Sequence, residues 1–94
     1  MSAADCPILT RDLVGTVAYT GVDPTLEGRA LQDALLREIA GRRGYCWWEV
    51  DHAGWVVTLD APREEFYGRT LEEALAWCLV WLMVSELGIG PFRA

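Results

Sequence analysis

The chain has no lysine, a single histidine and no closely spaced cysteines, and each shortage removes a class of function. All eight basic residues are arginine, set against 14 Asp and Glu for a net charge of −6. We read the missing lysine as a matter of coding composition and give it no mechanistic weight. The shortage of positive charge matters more, because an acidic surface repels phosphates: direct nucleic-acid binding is disfavoured and a basic protein surface is the favoured partner. Cys6, Cys46 and Cys78 are odd in number and have none of the close pairing that zinc sites use, so they are expected to be reduced core thiols, with no metal and no cofactor. The first residues, MSAADCPILTRD, have neither a basic start nor a continuous apolar core, so no secretory signal is expected and a cytoplasmic location is. The longest apolar run, Ala74 to Val84, falls short of the ~20 residues that span a bilayer.

That run lies within the chain's strongest helix signal, Thr70 to Gly88. Thr70 followed by Glu73 is a capping box, in which the threonine hydroxyl accepts from the Glu73 N–H and the glutamate returns to the Thr70 N–H. Gly88, with Pro91 soon after it, supplies the stop. A helix with no wet face must be covered by protein on most sides. One sheet covers one side only, so a second helix or another subunit is expected on the other.

Ahead of it, Leu13, Val14 and Val17 have helical spacing and Ile8 to Tyr19 reads as a helix, although VGTVAYT would also suit a strand. Asp23 as cap and Pro24 as first helical residue predict a helix from Pro24 to Ala40 with Ala30, Leu31, Ala34, Leu35 and Ile39 as its apolar stripe. Its wet face pairs Asp33 with Arg37, and Arg42 and Arg43 complement the dipole at its end. Tyr45–Val50 and Trp55–Asp60 are two β-rich runs around a four-residue loop, Asp51 to Gly54, which predicts an antiparallel hairpin. Cys46, Trp48 and Val50 share one face of the first strand and Tyr45, Trp47 and Glu49 the other; Trp55, Val57 and Leu59 oppose Val56, Thr58 and Asp60 in the second. A short edge strand at Glu65–Gly68 follows the Ala61-Pro62-Arg63 turn. Residues 1–5 and 89–94 are expected to be flexible ends.

This order predicts one α+β domain with an antiparallel β-meander of about three strands packed with helices, either as two layers or as an α-β-α sandwich. At 94 residues and 52% apolar it should fold, yet a chain of this size buries only roughly 60–65% of its unfolded surface, so its core is small.

From Ala30 to Met83 the chain resembles the phage ABA sandwich family of small phage and prophage proteins, on the Gly44-Tyr45 turn, Trp48, Trp55, Val57 and Leu59 of the hairpin, the Glu73-Ala74-Leu75 step that opens the last helix, and Cys78. The hairpin followed by TLEEAL is also similar to HicB-type antitoxins, from which the helix before it departs. The first resemblance implies a phage-type binding protein, most concretely an inhibitor of a bacterial defence system such as a CRISPR effector, whose nucleic-acid channel is basic.

No catalytic kit stands out. His52 beside Asp51 is a solvated turn residue, Cys78 lies in an apolar helix where its thiol stays protonated, and Glu72 and Glu73 serve a helix start. Glu64 and Glu65 belong to a turn. Gly88-Ile89-Gly90 follows a helix, so it cannot cradle phosphate as a glycine loop that opens one does. What remains is acid and aromatic surface. Asp51, Asp60, Glu64 and Glu65, with Trp47, are the candidate partner-binding residues. Five tryptophans are more than a small core easily holds, and Trp77, Trp81 and Val84 are the candidate interface of a homodimer. A different class of function would be a nucleotide-binding sponge, in which tryptophan stacks a planar ligand and Arg42, Arg43 or Arg63 holds its phosphates.

Overall fold

A computed structural model describes residues 11–42, 44–60 and 63–87 of the chain. Three helices and one three-stranded sheet follow in the order α1 (Arg11–Ala18), α2 (Gly28–Gly41), β1 (Cys46–Asp51), β2 (Gly54–Leu59), β3 (Glu64–Gly68) and α3 (Leu71–Leu87). The sheet is an antiparallel meander with β2 in the middle. The class is α+β, as expected. Cys6, Arg43, Ala61, Pro62, the Gly88 stop and both expected flexible ends lie outside the described residues.

The last helix is the centre of the fold. It packs on β2 and β3 and also against α1 and α2, so the helices stack behind α3 and lie on one face of the sheet. Ala74, Leu75, Ala76, Cys78 and Leu79 are all fully buried although they point in different directions around the axis. This is what an apolar stretch without a wet stripe requires. The cover that the sequence left open between a helix and another subunit therefore comes in part from α1, whose Leu13 and Val17 are buried against the same core. Each such side chain contributes about 1.5–3 kcal/mol relative to leaving it exposed.

The start of α3 keeps half of the expected box. The Glu73 N–H donates to Thr70 Oγ1 at 3.1 Å, but the Glu73 carboxylate accepts from the Arg69 N–H at 2.9 Å, one residue before the threonine. The bond to Thr70 satisfies one of the donors that the first turn of the helix leaves orphaned.

Three local expectations are corrected. First, α2 begins at Gly28, four residues after Pro24. Asp23 Oδ1 accepts from the Thr25 N–H and hydroxyl at 2.9 and 2.6 Å, and the Leu26 N–H bonds the Asp23 carbonyl at 3.3 Å, which closes a turn where a helix start was expected. Gly28, at φ +56°, then takes a left-handed conformation that separates this turn from the helix. Leu31, Leu35 and Ile39 form the buried stripe, Ala34 flanks it and Ala30 is exposed. Second, Asp33 pairs with Arg29 at 3.2 Å rather than with Arg37. Both partners are well exposed, so this pair adds little stability.

Third, the hairpin is tighter than the sequence indicates. Asp51 is paired with Gly54, which leaves a two-residue turn at His52-Ala53. Asp51 Oδ1 accepts from the Ala53 and Gly54 N–H groups at 2.8 and 3.0 Å. Gly54 has φ +145°, and a Cβ there would sit 2.6 Å from the Gly68 carbonyl of β3. A glycine is needed on both counts.

Candidate functional site

Pairing and alternation decide which strand residues share a face. Trp47 lies opposite Thr58 and Glu49 opposite Val56, while Glu65 lies opposite Thr58 and Tyr67 opposite Val56. With Asp51 at one end and Asp60 at the other, these residues line the face turned away from α3. Asp60 is held there by its N–H, which donates to the Tyr45 carbonyl at 2.8 Å. Among the described residues no helix packs on this face.

The face is acidic and aromatic. Glu49, Asp51, Asp60 and Glu65 are all exposed, as are Tyr45 and Tyr67. Trp47 is half-buried: its ring centre is 6.2 Å from that of Tyr45, and the Arg63 guanidinium sits 5.4 Å above it. That cation–π contact occupies part of the indole. Four carboxylates thus face one guanidinium on a surface that also offers aromatic area. The Tyr67 hydroxyl donates to Glu65 Oε1 at 2.8 Å. That hydrogen bond, then the charge of Glu65, with smaller contributions from burial and from the charge of Asp51, pushes the Tyr67 phenol above its ordinary range.

Of the sequence candidates, Asp51, Asp60, Glu65 and Trp47 come together here and Glu64 does not. Glu64 pairs with Leu59 and so belongs to the opposite face, where it is exposed at the strand end. Glu49 and Tyr67 belong to the site and were not among the candidates. Alternation from Trp47 already indicated Glu49, whereas Tyr67 required the register between β2 and β3.

At the hairpin end the face borders a cleft of about 230 Å3 lined by Asp51, Trp55, Tyr67, Arg69 and Glu73. His52 is exposed in the turn beside it. Among the described residues no cluster of three or more His, Cys, Asp or Glu is placed to hold a metal ion, and no helix is long and apolar enough to cross a membrane.

The candidate dimer residues fare differently from one another. Trp81 is only 8% exposed and meets the Phe66 ring edge-on at 6.2 Å between centres. The expectation that it has no cover within the chain is corrected, because β3 and its Phe66 supply that cover. Val84 is half-buried against the core, and Trp77 remains 41% exposed.

Of the arginines offered for phosphate binding, Arg42 and Arg63 are engaged within the chain. Arg42 Nη1 bonds Glu38 Oε1 at 2.7 Å, and its Nε lies 3.1 Å from Glu86 Oε1, although that N–H is not aimed along a hydrogen bond. Arg42 thereby ties the end of α2 to the end of α3. Arg63 lies over Trp47, as above.

The chain matches no family model, and no curated protein and no solved structure matches it.

Proposed function

We propose that the chain is a non-enzymatic binding protein of phage or prophage type that docks its open sheet face on a basic protein surface, with an inhibitory role against a bacterial defence complex as the most concrete form. The observation that carries the reading is the placement of Glu49, Asp51, Asp60 and Glu65 around Trp47 and Tyr67 on a face that, among the described residues, no helix covers. Complementary charge steers such an encounter and fixes its register, and aromatic side chains supply contact area at low entropic cost. A CRISPR effector, whose nucleic-acid channel is basic, has the required chemistry. The resemblance to phage ABA sandwich proteins points the same way.

The test is inhibition of target-DNA binding by purified CRISPR effectors, measured at rising salt. Reversing Asp51, Asp60 and Glu65 to arginine should weaken capture and its salt dependence, whereas Glu64→Arg, on the other face, should change it less. Binding that survives the triple reversal unchanged overturns the electrostatic form of the proposal.

Self-association is a second reading, supported by the exposure of Trp77 on the central helix. Sedimentation at micromolar concentration tests it: a dimer that Trp77→Glu converts to a folded monomer supports it, and a monomeric unmodified chain sinks it.

A further inference from the structure

Cys46 opens β1 and Cys78 lies in the middle of α3, far apart in sequence. Two observations place them together. Gly44 packs so closely on α3 that a Cβ there would lie 2.7 Å from Leu82 Cδ1. Two residues on from Gly44 is a step of roughly 6–7 Å along the strand, and one turn back from Leu82 is about 6 Å along the helix. β3 runs parallel to β1 and turns directly into α3, so α3 runs back against β1 and Cys46 comes level with Cys78. Its Cα partner is Leu59, which is buried, so Cys46 points to the face that α3 covers. The two thiols are thus neighbours, close enough for each to shift the other's ionisation. Both are free, Cys46 half-buried and Cys78 fully buried.

We propose that Cys46 and Cys78 form a reversible dithiol–disulfide site, in which Cys46 is the entry sulfur for a low-molecular-weight disulfide and Cys78 is the resolving sulfur. The asymmetry of the pair assigns the roles. The hydrogen bond from Cys78 lowers the pKa of Cys46 against the opposing effect of burial, so the more accessible sulfur is the one that more readily becomes thiolate. That same bond, burial and the Cys46 charge all raise Cys78, which keeps it protonated until its partner has reacted.

The Cys46 thiolate attacks one sulfur of the disulfide, forming a mixed disulfide and expelling one thiolate, which takes up a proton. Cys78 then loses its proton to solvent and attacks Cys46 Sγ, expelling the second thiolate. Two protein thiols are oxidised to one protein disulfide, and the reagent disulfide is reduced to two thiols. The product ties the edge strand β1 to the central helix. It also closes a long loop, which restricts the unfolded chain.

The experiment exposes the full chain to oxidised glutathione and maps its disulfides under non-reducing conditions. A Cys6→Ser background removes the third thiol. The expected result is a Cys46–Cys78 cross-link, a rise in Tm on oxidation and its reversal by dithiothreitol. Cys46→Ser should abolish the cross-link and leave Cys78 unreactive in the folded protein. Cys78→Ser should accumulate the glutathione adduct at Cys46; should that core variant not fold, Cys46→Ser alone decides. A glutathione adduct that persists on Cys46 with Cys78 intact, or a pair that stays reduced throughout, overturns the proposal.

Discussion

The Gln32 side-chain amide of α2 donates a hydrogen bond to the Glu72 carboxylate of α3, and Glu72 is buried, at 8% exposure. A carboxylate withdrawn from water is tolerated when it has a donor and when it stands in the first turn of a helix, where the dipole favours negative charge. This contact joins the two longest helices at the end of α3 where the chain enters it. Gln32→Ala removes the donor and leaves the carboxylate short of a partner, at an expected cost of about 1–3 kcal/mol. Denaturant unfolding measures it, and an unchanged midpoint would show that water replaces the amide.

Gly44, in the α2–β1 connection, lies close against α3. A methyl group there would meet Leu82 Cδ1 at 2.7 Å, Ile39 Cγ2 at 2.8 Å and the Ile39 carbonyl at 3.1 Å. The side-chain tips can give way but the carbonyl cannot, so Gly44→Ala should destabilise by about 1–3 kcal/mol. Adding Leu82→Ala should recover less than the whole loss in a double-mutant cycle, since it relieves only one of the three contacts.

Trp77 and Trp81 are one turn apart, yet opposite outcomes are expected for them. Trp81→Ala empties a buried site against Phe66 and should cost about 3–5 kcal/mol. Trp77→Ala, at a position 41% exposed, should cost much less in thermal denaturation. Equal losses for the two would contradict the placement of α3 against β3.

Tyr67 ties the candidate face to pH. Its phenol is raised by the Glu65 hydrogen bond first and by carboxylate charge second, so the protonated form is favoured in the folded chain. Any stability gained this way is present below the ordinary tyrosine pKa and is lost as pH rises through the raised value. Glu65→Gln should bring the phenol back toward its ordinary range in a spectrophotometric titration, with little change at neutral pH. A titration curve that does not move would mean that the bond from Tyr67 to Glu65 is not kept in solution.

The hairpin, the meander and the final helix were legible in the sequence because each rests on a local signal. Period-two alternation assigned the strand faces, and Thr70 with Glu73 marked the start of α3 through a bond made within one turn. The same alternation puts Trp47 and Glu49 on one face whatever the strand packs against. Other features were not legible, either because two local schemes compete or because the partners lie far away in the chain. Asp23 and Pro24 look like a helix start, but the local turn and the left-handed Gly28 delay α2, a choice between two short-range hydrogen-bonding schemes that composition alone does not resolve. The separation of Glu64 from Glu65, the burial of Trp81 by Phe66 and the meeting of Cys46 with Cys78 were settled by strand register and by where α3 lies on the sheet. A sequence pattern states which residues of one element share a face. Which element covers that face is fixed by long-range packing, and in so short a chain that packing also decided which tryptophans were left for solvent.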